Sequence, residues 1–132
     1  MIGHHRRNRL QAVELFDGLG PTQLAAIDQL FTELALPAGT HLIAEGGVGR
    51  EFFVITGGDV EVRKGGRRIA RLGPGDFVGE VALIDAAPRN ASVRAVTDVR
   101  VLVQNRREFA SLLDTAPDVR ERVRAAAQRR AA

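Results

Sequence analysis

Residues 77 to 93 read FVGEVALIDAAPRNASV, and they hold the side chains best placed to do chemistry. The segment follows Gly73-Pro74-Gly75-Asp76, a turn that cannot continue a strand. Gly79-Glu80-Val81-Ala82-Leu83-Ile84 then has the length of about one and a half helical turns. Asp85, two alanines and Pro88 end it, and Ala91 to Val96 has the composition of a strand. A helix start offers unpaired N–H groups and a positive dipole end, and a glycine lets a ligand approach the main chain. Arg89, a permanent cation with a planar fork, is spaced to fold back over that start and hold a phosphate by two hydrogen bonds. A carboxylate beside a phosphate would repel it, so Glu80 is better suited to accept hydrogen bonds from sugar hydroxyls. Ser92 adds a hydroxyl suited to a base edge. The chemistry on offer is recognition of a small anion that carries hydroxyls.

This segment resembles the phosphate-binding cassette of the cyclic-nucleotide-binding domain family, which includes regulatory subunits of protein kinase A, the bacterial catabolite activator protein and cyclic-nucleotide-gated channels. The family pattern is Phe-x-Gly-Glu-x-Ala-Leu, a spacer, then Pro-Arg-x-Ala-Ser/Thr-Val. Phe77, Gly79, Glu80, Ala82, Leu83, Pro88, Arg89, Ala91, Ser92 and Val93 match it. The resemblance implies that Arg89 binds the cyclic phosphate and Glu80 the ribose 2′-hydroxyl. Main-chain N–H groups around Gly79, Val81, Ala82 and Asn90 would complete the cradle. Family members that favour the guanine nucleotide often carry Thr where this chain has Asn90, which neither matches nor excludes that preference. Val62, inward on its strand, is a candidate wall of the base pocket, a position that core packing explains equally well. The implied ligand is cAMP, or alternatively cGMP, with no cofactor and no metal.

The elements that must position these residues read helix, then β, then helix. Leu10, Val13, Leu15 and Phe16 give a short helical face that stops at Asp17-Gly18. Thr22 is a candidate cap for a second helix, with Leu24, Ile27, Leu30 and Phe31 at helical spacing. Leu34-Ala35-Leu36 runs into a Pro37-Ala38-Gly39 turn. Strands are expected at Thr40 to Ala44, Glu51 to Thr56, Asp59 to Lys64 and around Ile69 to Leu72. In the third of these Val60 and Val62 share one face, and Glu61 and Arg63 the other. Gly65-Gly66 marks a hairpin. Short strands broken by glycine pairs fit a jelly-roll-like β-barrel (a double-stranded β-helix) better than a parallel sheet. The family's turns, Pro-Ala-Gly-Thr, Glu-Gly-x-x-Gly and x-Gly-x-Gly-Asp-Phe, are also present, so the resemblance covers about residues 10 to 115. Arg50 departs from it, since an acidic residue is common there.

After a last strand, Val99 to Val103, the expectation is a short amphipathic helix carrying Phe109, Leu112 and Leu113. Pro117 then opens a terminal helix, from Asp118 to about Arg130, with Val119, Val123, Ala126 and Ala127 as a narrow apolar stripe. Five arginines surround that stripe, which by composition alone suits a solvated surface helix. In the family this helix often swings over the ligand, so it is the candidate switch, with a capping Arg or Val left open.

The expected fold class is therefore mainly β with flanking helices, in a single domain over 1–132. It divides into a disordered stretch at 1–9, N-terminal helices at 10–32, a barrel at 33–105 holding the cassette 77–93, and C-terminal helices at 106–132. A length of 132 residues suffices for a buried core. With 19 basic and 16 acidic residues the charge is +3, too even to name a partner. No cysteine is present, which excludes disulfide and thiol chemistry. No apolar run reaches membrane-spanning length and no apolar stretch follows the basic N-terminus, so the expected setting is cytoplasmic.

Enzymes built on such barrels need clustered His and carboxylate ligands, and His41 is the lone histidine of the β region. His4 and His5 lack a third ligand nearby. A DNA-binding regulator would need a further helix-turn-helix module, and the residues after Asn105 are used by the expected helices. The reading is a non-enzymatic cyclic-nucleotide sensor that signals through its C-terminal helices, to a protein effector or to another copy of itself. The alternative is a degenerate member that keeps the fold, binds nothing and serves as an interaction scaffold.

Overall fold

The computed structural model describes residues 9–131. The stretch expected to be disordered, with His4 and His5, lies outside the described residues, apart from Arg9. Two four-stranded antiparallel sheets face each other. One has the order β1 (Thr32–Leu36), β8 (Val99–Asn105), β3 (Glu51–Gly57), β6 (Phe77–Val78). The other has the order β2 (His41–Ile43), β7 (Ser92–Ala95), β4 (Val60–Lys64), β5 (Arg67–Leu72). Helices accompany them, among them α1 (Pro21–Asp28), α2 (Glu80–Asp85), α3 (Arg106–Thr115) and α4 (Pro117–Ala131). The mainly β, jelly-roll-like architecture expected from the turn spacing is present.

The central strands of the first sheet, β3 and β8, are buried on both faces, which explains why Phe52 to Ile55 is apolar without a break rather than alternating. Phe53 and Ile55 point between the sheets with Val60, Val93, Val101 and Val103. Phe52, Val54 and Leu102 point the other way, into a second core with Leu24, Phe109, Leu112, Val119 and Val123. Phe52 joins the two halves of that layer, its ring lying 4.8 Å from Phe109 and 5.7 Å from Phe77. The second sheet is apolar only on its inner face, through Ile43, Val60, Val93 and Leu72.

The helical ends differ from expectation in instructive ways. Thr22 is not the cap of α1: Gly20 is, and Pro21 occupies the first turn, where its missing N–H is no loss. The helix stops at Asp28, and Leu30 and Phe31 pack from the following turn, because β1 begins at Thr32 and pairs with β8. The helical face expected from Leu10 to Phe16 is split, with helix at 9–11 and a 3₁₀ turn at Glu14–Phe16, and its apolar residues all reach the core. The terminal helix is no solvated helix. Val119, Val123, Ala126 and Ala127 are at most 3% exposed, because small side chains let α4 approach α2, α3 and the 3₁₀ turn closely.

A capping box starts α3. The Asn105 side chain accepts from the Glu108 N–H, and the Glu108 carboxylate accepts from the Asn105 N–H, both at 2.8 Å. Between α3 and α4 only Ala116 is non-helical, and Pro117 prevents the helix from running through.

Candidate functional site

The cassette is held in place by main-chain geometry. Gly79 precedes α2 with φ +100°, and a Cβ there would lie 2.5 Å from the Glu51 carbonyl oxygen. Only glycine fits. The loop after β2 is stitched to the cassette by two bonds, Gly46 N–H to Arg89 O and Arg89 N–H to Gly47 O, both 2.8 Å. Gly49 packs so tightly on α2 that an added Cβ would sit 2.5 Å from the Ala82 Cβ. Gly49 and Gly79 are thus close-approach positions, the first against the six-residue helix and the second against β3.

Arg89 is buried and donates Nη1 to the Gly79 carbonyl at 2.9 Å and Nη2 to the Glu51 carbonyl at 2.8 Å. Two main-chain acceptors therefore fix the fork and leave its remaining N–H groups for another acceptor. Burial lowers its pKa, and the charges of Glu51 and Glu80 oppose that shift.

Glu80 opens α2 and is 1% exposed. Its Oε1 accepts from Arg130 Nη1 at 2.7 Å, and its Oε2 is buried with no partner among the described residues. Burial raises its pKa, against the opposing charges of Arg130 and Arg89. A buried carboxylate oxygen without a donor is expensive to keep, on the order of 1–3 kcal/mol. A hydroxyl entering the site would relieve that cost.

These groups face one cavity of about 140 Å³. Gly79, Glu80, Val81, Ala82, Arg89, Asn90 and Ala91 line one side, and Val62 lines the opposite wall with Ile69, Ala70 and Leu72. The cavity thus sets a polar, cation-bearing side against an apolar one, which suits a ligand with a charged group and a flat apolar part. Ser92 is not among the lining residues. Its Oγ accepts the Glu45 N–H at 2.9 Å and so anchors the loop instead.

One functional residue was not singled out from sequence. Arg130, on the last turn of α4, reaches into the cavity between Phe77 and Glu80. Its Nη1 also donates to Phe77 O at 2.7 Å, and its guanidinium lies 5.0 Å from the centre of the Phe77 ring. The Asn90 side-chain amide donates to the Arg130 carbonyl at 3.0 Å, so the end of α4 is gripped from both sides of the cassette. Nothing in the local sequence separates Arg130 from the other arginines of that helix, since its partners lie 40 to 53 residues away.

Glu61 keeps the face expected for it, opposite to that of Val60 and Val62, and yet is buried. It is 7% exposed although it lies on the outer face, because Arg63 Nε at 2.8 Å and Arg94 at 3.4 Å fold over its carboxylate. The hydrogen bond from Arg63, helped by the charges of Arg63, Arg94 and Arg68, lowers its pKa against a smaller opposing effect of burial. No helix among the described residues is long and apolar enough to cross a membrane.

Residues 33–116 match the family described as cyclic nucleotide-binding domain, a span that includes the cassette and ends just before α4. The chain is 36% identical over 115 residues to the cAMP-dependent protein kinase regulatory subunit of Aspergillus niger, covering 86% of this chain and 28% of the relative. It is 37% identical over 110 residues to the cyclic nucleotide-gated potassium channel mll3241 of Mesorhizobium japonicum, covering 83% and 30% respectively. In both cases it spans less than a third of the relative's length. The crystal structure of Thermus thermophilus catabolite activator protein superposes with a TM-score of 0.79 at 32% identity, over 88% of this chain and 57% of that one. On its sequence match, its fold and the arrangement around Arg89 and Glu80, the chain belongs to the cyclic nucleotide-binding domain family.

Proposed function

We propose that this domain is a cyclic-nucleotide sensor whose ligand is cAMP and whose output is the position of α4. The observation that carries the reading is the pairing, in one cavity, of an Arg89 fork with free N–H groups and a buried Glu80 oxygen with no partner among the described residues. Arg89 takes the cyclic phosphate, helped by the N–H groups of the cassette around Gly79, Val81 and Ala82, and of Asn90 and Ala91. Glu80 Oε2 takes the ribose hydroxyl, and the base lies toward Val62, Ile69 and Leu72. The Asn90 side chain is committed to the Arg130 carbonyl and supplies no hydroxyl for a guanine edge, which favours adenine. The name of the fungal kinase relative points the same way. Ser92 contributes by fixing the loop at Glu45 rather than by touching the base.

Arg130 links binding to output. Its guanidinium holds Glu80 Oε1 while the ligand takes Oε2, so nucleotide and helix share one carboxylate without competing for the same atom. A ligand shifts only those states it contacts differently, and a nucleotide under Arg130 contacts the docked α4 alone. The helix then signals to a protein effector or to a second copy of the chain, and a cyclic nucleotide as ligand places that signalling in the cytoplasm. A scaffold that had lost its ligand would have little reason to keep Glu80 buried with an unsatisfied oxygen.

Calorimetric titration of the chain with cAMP and cGMP in parallel tests this. Saturable binding, tighter for cAMP, is the expected result. Tighter cGMP binding would reverse the base assignment. No heat and no thermal shift with either nucleotide, on a folded sample, would make the domain a scaffold.

A further inference from the structure

The outer face of the second sheet carries charge that the nucleotide site does not use. Arg63, Arg68, Arg71 and Arg94 lie there on three adjacent strands, all exposed. In the β4–β5 hairpin, Arg63 stands directly opposite Arg68 and Lys64 opposite Arg67. Like charges facing each other across a ladder destabilise it, and this hairpin holds two such pairs in succession. Against these six cations stand Glu61, Asp59, which pairs with Arg71 at 3.0 Å, and Glu45, which accepts the Gly65 N–H at 3.0 Å. Lys64, Arg67 and Arg68 have no ion-pair partner among the described residues.

The same hairpin ends in an open strand. Among the described residues β5 is the outer strand of its sheet, so its far side presents main-chain N–H and C=O groups that no other described strand pairs. Charges on such an edge also discourage sheets from pairing edge to edge. Charge of either sign, or a proline, serves that purpose without the two facing like-charged pairs.

We infer that β5 is a docking edge for an extended acidic segment of a partner protein. The partner's main chain would add a strand beside β5, and its alternate carboxylates would meet the arginines and Lys64 of the hairpin. Charge complementarity and an open strand edge coincide here, which favours a peptide over other polyanions. A nucleic acid would call for exposed aromatics or a groove-entering helix. Phe16, Phe31, Phe52, Phe53 and Phe109 are all buried, and Phe77 is only partly exposed, beneath Arg130. An anionic membrane would call for an apolar group of residues at its centre, and the hairpin exposes only Ile69. Because Ile69, Ala70 and Leu72 also wall the nucleotide cavity, such a partner would lie against the wall of the sensor.

The test is fluorescence anisotropy on the full chain at low and high salt, with a labelled peptide of alternating Glu and Val. Parallel arms use the Gln-for-Glu peptide, the Glu peptide with alternate amides N-methylated, a DNA oligonucleotide of equal charge, and phosphatidylserine vesicles. The Glu peptide should bind saturably and weaken with salt. N-methylation, or the double variant Arg67→Glu/Arg68→Glu, should weaken it about tenfold or more. Circular dichroism and the thermal midpoint of the variant check its fold, and Lys64→Glu provides a second reversal should the first unfold. No saturable binding at low salt, equal binding of the Gln peptide, or indifference to charge reversal and N-methylation would overturn the proposal. Tighter binding of the oligonucleotide or the vesicles would overturn it in favour of that polyanion.

Discussion

Replacing Arg89 with lysine keeps the positive charge and removes the fork. In the native geometry two guanidinium nitrogens are engaged by the Gly79 and Glu51 carbonyls, and the remaining N–H groups stay available. A lysine ammonium has three N–H groups on one nitrogen and cannot span both carbonyls while meeting a phosphate. One charge-assisted bond and the bidentate phosphate geometry are lost, together about 3 kcal/mol, or roughly a hundredfold in Kd. The ligand-free protein loses at least one of its two pins on buried carbonyls, about 1–2 kcal/mol, which lowers its midpoint by a few degrees. Calorimetric titration with cAMP reads the first effect, and a thermal melt without nucleotide reads the second. If Arg89→Lys is folded and binds within about threefold of the parent, the assignment of Arg89 as phosphate receptor is wrong. An unchanged melt would refute the claim that its fork pins the cassette.

Gly79→Ala places a Cβ 2.5 Å from the Glu51 oxygen at a φ of +100°, so it should destabilise the fold by about 2 kcal/mol or more and weaken binding. Denaturant unfolding and titration measure both losses. Arg130→Ala should weaken nucleotide binding roughly threefold to tenfold and increase amide exchange over residues 125–131. Unchanged exchange would remove α4 from the signalling scheme. Burial holds the Glu80 carboxyl above its usual value of 4.5, so the folded chain keeps this proton to higher pH than the unfolded chain. The stability from this group is complete below about pH 4.5 and is lost as pH rises through the raised value. The parent's thermal midpoint should therefore decline across that window, and a Glu80→Gln curve should lack that part of the decline. Glu61, held below 4.5 chiefly by Arg63, acts in the opposite sense, its contribution being lost as pH falls through its lowered value.

The strands and the cassette were legible because their signals are local. Gly65-Gly66 makes a turn wherever it stands, and residues 52 to 55 are apolar whichever face is counted. The misreadings occur where a distant partner decides. Phe31 has the spacing of a helix residue, but pairing with β8 claims Thr32 to Leu36 as a strand. The alanines of α4 suggest weak packing, although their small size is what lets the helix sit close to its neighbours. At the site, the types and order of Glu80 and Arg89 were visible in the sequence. Ser92 turning to Glu45 and Arg130 reaching Glu80 depend on how the loop and the last helix fold back.

The break at Ala116 has a mechanical consequence. The capping box fixes where α3 begins, and Pro117 forbids a continuous helix, so bending between the two concentrates at one residue. From Pro117 to Arg130 the axis runs about 20 Å. A swing of roughly 10° at that pivot moves the tip by about 3.5 Å, more than the length of the bond from Arg130 to Glu80, while Val119, near the fulcrum, shifts by only about half an ångström. The helix is a lever with its fulcrum in the hydrophobic core and its latch at the nucleotide. A displacement too small to disturb the packing of its first turn is enough to open or close the latch.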